Sequence, residues 1–133
     1  MTRLGLVVAR FNRSVTEEME ERALEAATAR DVEVVETVHV PGAYDAPLAA
    51  DRLARRDDVD AVATVGAIVT GDTDHDQVIA NSAAQKLTDV SLDRDKPVTL
   101  GITGPGMSGA EARERVGNAA KAVDGAIDLV EAL

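Results

Sequence analysis

Residues 60–69 read DAVATVGAIV, apolar or glycine everywhere except Asp60 and Thr64. A strand with one wet face alternates apolar and polar side chains. A short run that is apolar throughout suits a strand covered on both faces, as in a parallel sheet between two helical layers. LGLVVAR, residues 4–10, and PVTLGIT, residues 97–103, share this pattern. VEVVETVHV, residues 32–40, is interrupted by Glu33 and Glu36, which suits a strand nearer the sheet edge.

Helical patterns separate these runs. Ser14 and Glu17 form an S-x-x-E capping box that predicts a helix over 15–30, with Val15, Met19, Ala23 and Ala27 on one face. DAPLAADRLARR, residues 45–56, predicts a short second helix. A third is expected over 76–92, with Ile79, Ala83, Leu87 and Val90 in line. The fourth is expected from Ser108 or Gly109 to the C-terminus. It carries two stripes, one through Val116, Val123 and Ile127, the other through Ala112, Ala119, Ala122, Ala126, Leu129 and Leu133. One stripe covers the sheet; the second implies a neighbouring subunit or one wide buried face. Strands joined by single helices make right-handed βαβ units. The expected fold is α/β: a three-layer α/β/α sandwich around a four-stranded parallel sheet of flavodoxin type, order 2-1-3-4. A single domain over residues 1–133 follows, with ligands at the carboxyl ends of the strands.

Composition narrows the function. Twenty-four acidic residues against fourteen basic ones give a net charge of −10, which opposes nucleic-acid binding through a basic footprint. Scarce lysine beside abundant aspartate suits a salt-rich cytoplasm; solubility alone is the plainer account. There is no cysteine, so disulfides and thiolate metal sites are excluded. No apolar run approaches the roughly 18 residues of a membrane span, and the N-terminus does not read as a secretory signal. A soluble, cytoplasmic protein is expected, with no membrane partner.

Phe11 and Tyr44 are the only aromatic residues. Phe11 and Asn12 follow the first strand. Tyr44 and Asp45 follow the second. GDTDHD, residues 71–76, follows the third and holds His75. GPGMSG and then Arg115 follow the fourth. Both aromatics and one of two histidines therefore fall on one rim. Singly, each has a plainer reading. Phe11 caps a core, Asn12 makes a turn, Asp45 caps a helix, and His75 is a solvated surface residue. His39, inside a strand, reads as structural. The acidic loop lacks the spacing of a metal site, and P-loop and dinucleotide fingerprints are missing. Three aspartates around His75 should hold its proton above the unperturbed value of about 6.5.

ARFN, VPGAYDAP, GAIVTGDTDHD and KPVTLGITGPGMS followed by ERVGN together resemble the 6,7-dimethyl-8-ribityllumazine synthases, closely following their short archaeal form. The resemblance spans essentially the whole chain. It implies condensation of 5-amino-6-(D-ribitylamino)uracil with 3,4-dihydroxy-2-butanone 4-phosphate in riboflavin biosynthesis, releasing phosphate and water, with no cofactor and no metal. By motif, Phe11 matches the residue that stacks on the pyrimidine, with Asn12 beside it. Gly42, Ala43, Tyr44 and Asp45 match the loop that holds the ribityl chain, with Asp45 where the family usually has Glu. Ala67, Ile68 and Val69 match the pyrimidine-binding backbone. Gly71, Asp72 and Thr73 match the phosphate loop, His75 the proton-transfer histidine, and Arg115 the phosphate-binding arginine. Helix N–H groups with Arg115 would offset the aspartates near the phosphate.

Two positions depart from the pattern. Thr70 stands where many relatives have Arg. Leu100 occupies a substrate-binding position that is often Phe and is donated by the adjacent subunit. Lys121 is a weak match to a lysine near the ribityl site. The resemblance further implies a homo-oligomer, a pentameric ring or a 60-subunit icosahedral shell, with sites between neighbours. Alternative functions are a riboflavin synthase-like archaeal paralogue on the same fold, and a non-catalytic flavin- or lumazine-binding shell protein.

Overall fold

The computed structural model describes residues 1–71 and 73–133. Four strands, β1 (Arg3–Ala9), β2 (Glu33–Val40), β3 (Ala61–Val69) and β4 (Val98–Met107), pair in parallel in the order β2-β1-β3-β4. Five helices connect them: α1 (Arg13–Ala29), α2 (Ala46–Ala54), α3 (His75–Arg94), α4 (Gly109–Glu114) and α5 (Asn118–Ala132). This is the α/β sandwich and strand order that the apolar runs predict.

The period of two in each strand sorts side chains between the layers. In β1, Leu4, Leu6 and Val8 face α1 and α5, where they meet Met19, Val123 and Ile127. Val7 faces the other way, toward Leu53 of α2 and Leu87 of α3. β3 is buried from Ala61 through Ile68, whereas β2 is only partly covered along its length. The reading of residues 60–69 as a doubly covered strand and of 32–40 as an edge strand therefore holds; residues 97–103 instead form the other edge, with Leu100 exposed.

Three local features differ from expectation. α1 begins two residues earlier than predicted and does not use the Ser14–Glu17 box. Asn12 is its cap, in the left-handed region at φ 65°, where asparagine is tolerated. The carbonyl of Asn12 accepts from the Val15 and Thr16 N–H groups at 2.9 and 3.0 Å. Second, the GPGMSG segment is not simply a loop after β4. The strand continues to Met107 through a bulge, advancing four residues from Thr103 to Met107 while β3 advances two from Ala67 to Val69. Gly104 and Gly106 permit this with φ of 103° and 77°. Third, the expected last helix breaks at Arg115–Gly117 into α4 and α5. α4 carries its own capping box: Ser108 Oγ accepts from Glu111 N–H at 3.1 Å, and the Glu111 carboxylate accepts from Ser108 N–H.

That break changes the meaning of the two stripes. Ala112, Ala119, Ala122 and Ala126 are buried inside this chain with Val116, Val123 and Ile127; only Leu129 and Leu133 remain exposed. The face is one wide buried surface, so it does not by itself call for a partner subunit. Among the described residues no helix is long and apolar enough to cross a membrane.

Arginine–aspartate pairs join β1 to the residue before β3, and α2 to α3. Asp60 accepts from the Arg3 backbone N–H at 2.8 Å and from its Nε at 3.3 Å. Asp51 accepts from Arg94 Nε at 2.8 Å and pairs with Arg55. The hydrogen bonds from Arg94 and from Arg3 hold the Asp51 and Asp60 carboxyls below the ordinary aspartate value of 3.8. A carboxyl with a depressed folded pKa contributes stability that is whole above its unfolded pKa and is lost as pH falls through the folded one. The urea midpoint is therefore expected to fall below about pH 4, and less steeply in an Asp51→Asn, Asp60→Asn double variant. Equal acid limbs for the two proteins would contradict this assignment.

Candidate active site

The carboxyl ends of β1, β2 and β3 open into a cleft of about 420 Å³. That is within the usual size for a small-molecule site. Phe11 enters from the turn after β1 and Tyr44 from a 3-10 turn, Ala43–Asp45, after β2. Each is 66% exposed. In a chain with one phenylalanine and one tyrosine, both aromatic faces are thus left open to one cavity. The floor is the end of β3, Ala67 to Val69, and the far wall is Gly71, Thr73 and His75, where α3 begins.

Short-range contacts shape these walls. Asn12 points back to β3, its Nδ2 donating to Ala67 O at 3.5 Å, and so joins the Phe11 turn to the cleft floor. Asp45 does not line the cleft. Its Oδ2 accepts from the Gly42 N–H at 3.1 Å and closes the turn that presents Tyr44. Asp45 thus caps this turn; it makes no side-chain cap on α2, which starts at Ala46. Thr73 Oγ1 accepts from His75 N–H at 3.3 Å and defines the start of α3. Asp72 lies outside the described residues.

Of the three aspartates expected around His75, only Asp74 and Asp76 are among the described residues. Among the described residues no carboxylate is within ion-pair distance of its imidazole. Asp76, the next residue, turns to the backbone of β4 instead. Asp76 and Ile79 line the cleft and were not among the predicted site residues. Their signal was present: Asp76 falls on the same helical face as Ile79, Ala83 and Leu87, the face that turns inward. His39 is structural, as expected, with Nε2 2.8 Å from Glu20 Oε1. Among the described residues no group of three histidine or acidic side chains is arranged to hold a metal.

Leu100 and Arg115 do not reach this cleft within one chain. They line a separate cavity of about 550 Å³ between β4 and α5, together with Thr103, Asn118 and Lys121. Arg115 stands at the α4–α5 break, its Nη1 3.7 Å from Met107 Sδ. One chain therefore carries two distinct faces: an aromatic and imidazole cleft, and a basic face beside exposed Leu100.

The family model described as 6,7-dimethyl-8-ribityllumazine synthase matches residues 1–133. A protein of that name from Halobacterium salinarum is 71% identical over 133 residues, covering all of both chains. One from Halorubrum lacusprofundi is 72% identical over 133 residues, all of this chain and 99% of its own. One from Methanopyrus kandleri is 53% identical over 131 residues, 98% of this chain and 93% of its own. With full-length matches at such identity, and with the motif residues set at the strand ends, the chain belongs to the 6,7-dimethyl-8-ribityllumazine synthase family.

Proposed function

We propose that this protein condenses 5-amino-6-(D-ribitylamino)uracil with 3,4-dihydroxy-2-butanone 4-phosphate to 6,7-dimethyl-8-ribityllumazine in riboflavin biosynthesis, as one domain over residues 1–133, in the cytoplasm and without a cofactor. The observation that carries the reading is the shared cleft of Phe11, Tyr44 and His75 in a chain of this family.

Phe11 stacks on the pyrimidine ring, whose polar edge pairs with the backbone of Ala67, Ile68 and Val69. Gly42, Ala43 and Tyr44 hold the ribityl chain, on a turn closed by Asp45. The ring amine attacks the ketone carbon and one water leaves as the imine forms; phosphate is then eliminated, and attack of the ribityl-bearing amine on the carbonyl so generated closes the ring with loss of a second water. Each step moves a proton at near-neutral pH, the work of His75. Gly71, Asp72 and Thr73 receive the phosphate, with Arg115 and the N–H groups at the start of α3 supplying the opposing charge. Holding the two substrates together accounts for much of the remaining acceleration.

Arg115 and Leu100 lie on the chain's other face, so this reading needs a second copy. One protomer offers the Phe11–His75 cleft and its neighbour the Leu100–Arg115 face, which generates a ring of five and, with further packing, a 60-subunit shell. Purified protein given both substrates should develop lumazine fluorescence with release of one phosphate per turnover. Fluorescence that changes only when supplied lumazine is consumed to riboflavin would overturn the reading.

Each added copy brings a net charge of −10. Assembly is therefore expected to depend on screening: light scattering should show the mass fall when salt is reduced to about 10 mM, where the Debye length reaches roughly 30 Å. An unchanged mass there would count against the salt-rich habitat read from the composition.

A further inference from the structure

Asp76 is the only charged residue buried among those described, at 8% exposure. The other buried polar residues are Thr16, Thr64 and Thr103, and each hydroxyl donates to a backbone carbonyl. A buried carboxylate without a cation carries a desolvation cost. Among the described residues Asp76 has no ion-pair partner. Its Oδ2 accepts one hydrogen bond, from the Gly106 N–H at 3.3 Å. Gly106 sits in the bulge of β4, where the extra residues have no ladder partner in β3. A place in the first turn of the 20-residue helix α3 offsets part of the cost. The bond joins the helix start that carries His75, which lines the cleft, to the bulged strand end that leads to Met107 and Arg115.

We infer that Asp76 is the positioning residue for His75: its carboxylate clamps the first turn of α3 to the bulged end of β4 and so sets where the imidazole stands over the cleft. This rests on the proton-transfer role proposed for His75. His75 immediately precedes Asp76, and its backbone N–H is held by Thr73 Oγ1 at 3.3 Å, so a shift of this turn carries the imidazole with it. A displacement of about 1 Å at a reacting group can cost on the order of 10²-fold in rate.

The test compares His75→Ala, Asp76→Ala and Asp76→Asn as assembled proteins, with lumazine formation followed by fluorescence. Asparagine keeps an oxygen for the Gly106 N–H; alanine does not. Asp76→Ala should lower kcat about 30-fold with KM for the pyrimidine substrate within about threefold, while Asp76→Asn should stay within about threefold of the parent in both. Should Asp76→Ala fail to assemble, Asp76→Ser takes its place; its hydroxyl is too short to reach Gly106, and it must show the same loss of kcat. A parental kcat in the alanine or serine variant, a loss confined to KM, or an asparagine variant as slow as alanine overturns the positioning role. Full activity of His75→Ala instead overturns the role of His75, whereas a slow His75→Ala beside a fully active Asp76→Ala sinks the clamp alone.

Discussion

His75→Ala is expected to lower kcat for lumazine formation by roughly 10²- to 10³-fold and to leave KM for the pyrimidine substrate within about threefold. The surfaces proposed to bind the ring, Phe11 and the end of β3, are built by other elements and stay in place. What is lost is the group proposed to move protons during imine formation and phosphate loss. The variant should still exceed the spontaneous reaction, because holding two reactants together survives the substitution. Steady-state kinetics against both substrates reads this directly. An unchanged kcat would remove His75 from the chemistry, and a rise in KM alone would make it a binding residue only.

Gly104→Ala is expected to lose about 3 kcal/mol or more of stability, because two independent costs fall on one atom. Gly104 has a φ of 103°, which disfavours any L side chain. An added Cβ would also stand 2.2 Å from the carbonyl oxygen of Ile68, a backbone atom that cannot turn aside. Ile68 forms part of the cleft floor, so accommodation of the methyl must distort the site as well. Gly106→Ala offers the control. Its φ is 77°, yet an added Cβ meets nothing within 4 Å, so it should lose only the conformational share, about 1–2 kcal/mol. Urea midpoints for the two variants check the difference. Equal losses would show that close approach to Ile68 contributes nothing.

Much of this fold was legible because it depends on hydrophobic period. A strand buried on both faces has to be apolar almost throughout, and β1 and β3 are, apart from Arg3 and Thr64. Helix faces such as Val15, Met19, Ala23 and Ala27 were legible for the same reason. Features that depend on single backbone conformations were not. The cap of α1 is a left-handed asparagine using its main-chain carbonyl, while a better side-chain signal two residues later goes unused. The β4 bulge hides in a glycine-rich segment that reads equally well as a loop. The two alanine-rich stripes near the C-terminus could not show that a helix break would fold both into one chain's core.

The site divides in the same way. Residue type and position at strand ends were enough to bring Phe11, Tyr44 and His75 to one rim, since a parallel sheet gathers its carboxyl ends. Distance across the rim was not available from the sequence. Arg115 follows β4, yet it lies with Leu100 on a second face. Residue type alone does not separate buried Asp76 from exposed Asp74 in this acidic run; its place on the inward face of α3 does.

The central claim is that these two faces, from two copies of the chain, complete one active site. It is tested most directly by refolding His75→Ala and Arg115→Ala chains together in equal amounts. Each parent assembly is expected to be slow. If the cleft of one protomer is closed by the Arg115 face of the next, about a quarter of the sites in the mixture combine an intact His75 with an intact Arg115, and activity should return to about a quarter of the parent chain's. If each site is completed within one chain, no chain in the mixture holds both residues. Mixed assemblies that remain as slow as the average of the two variants would contradict the account.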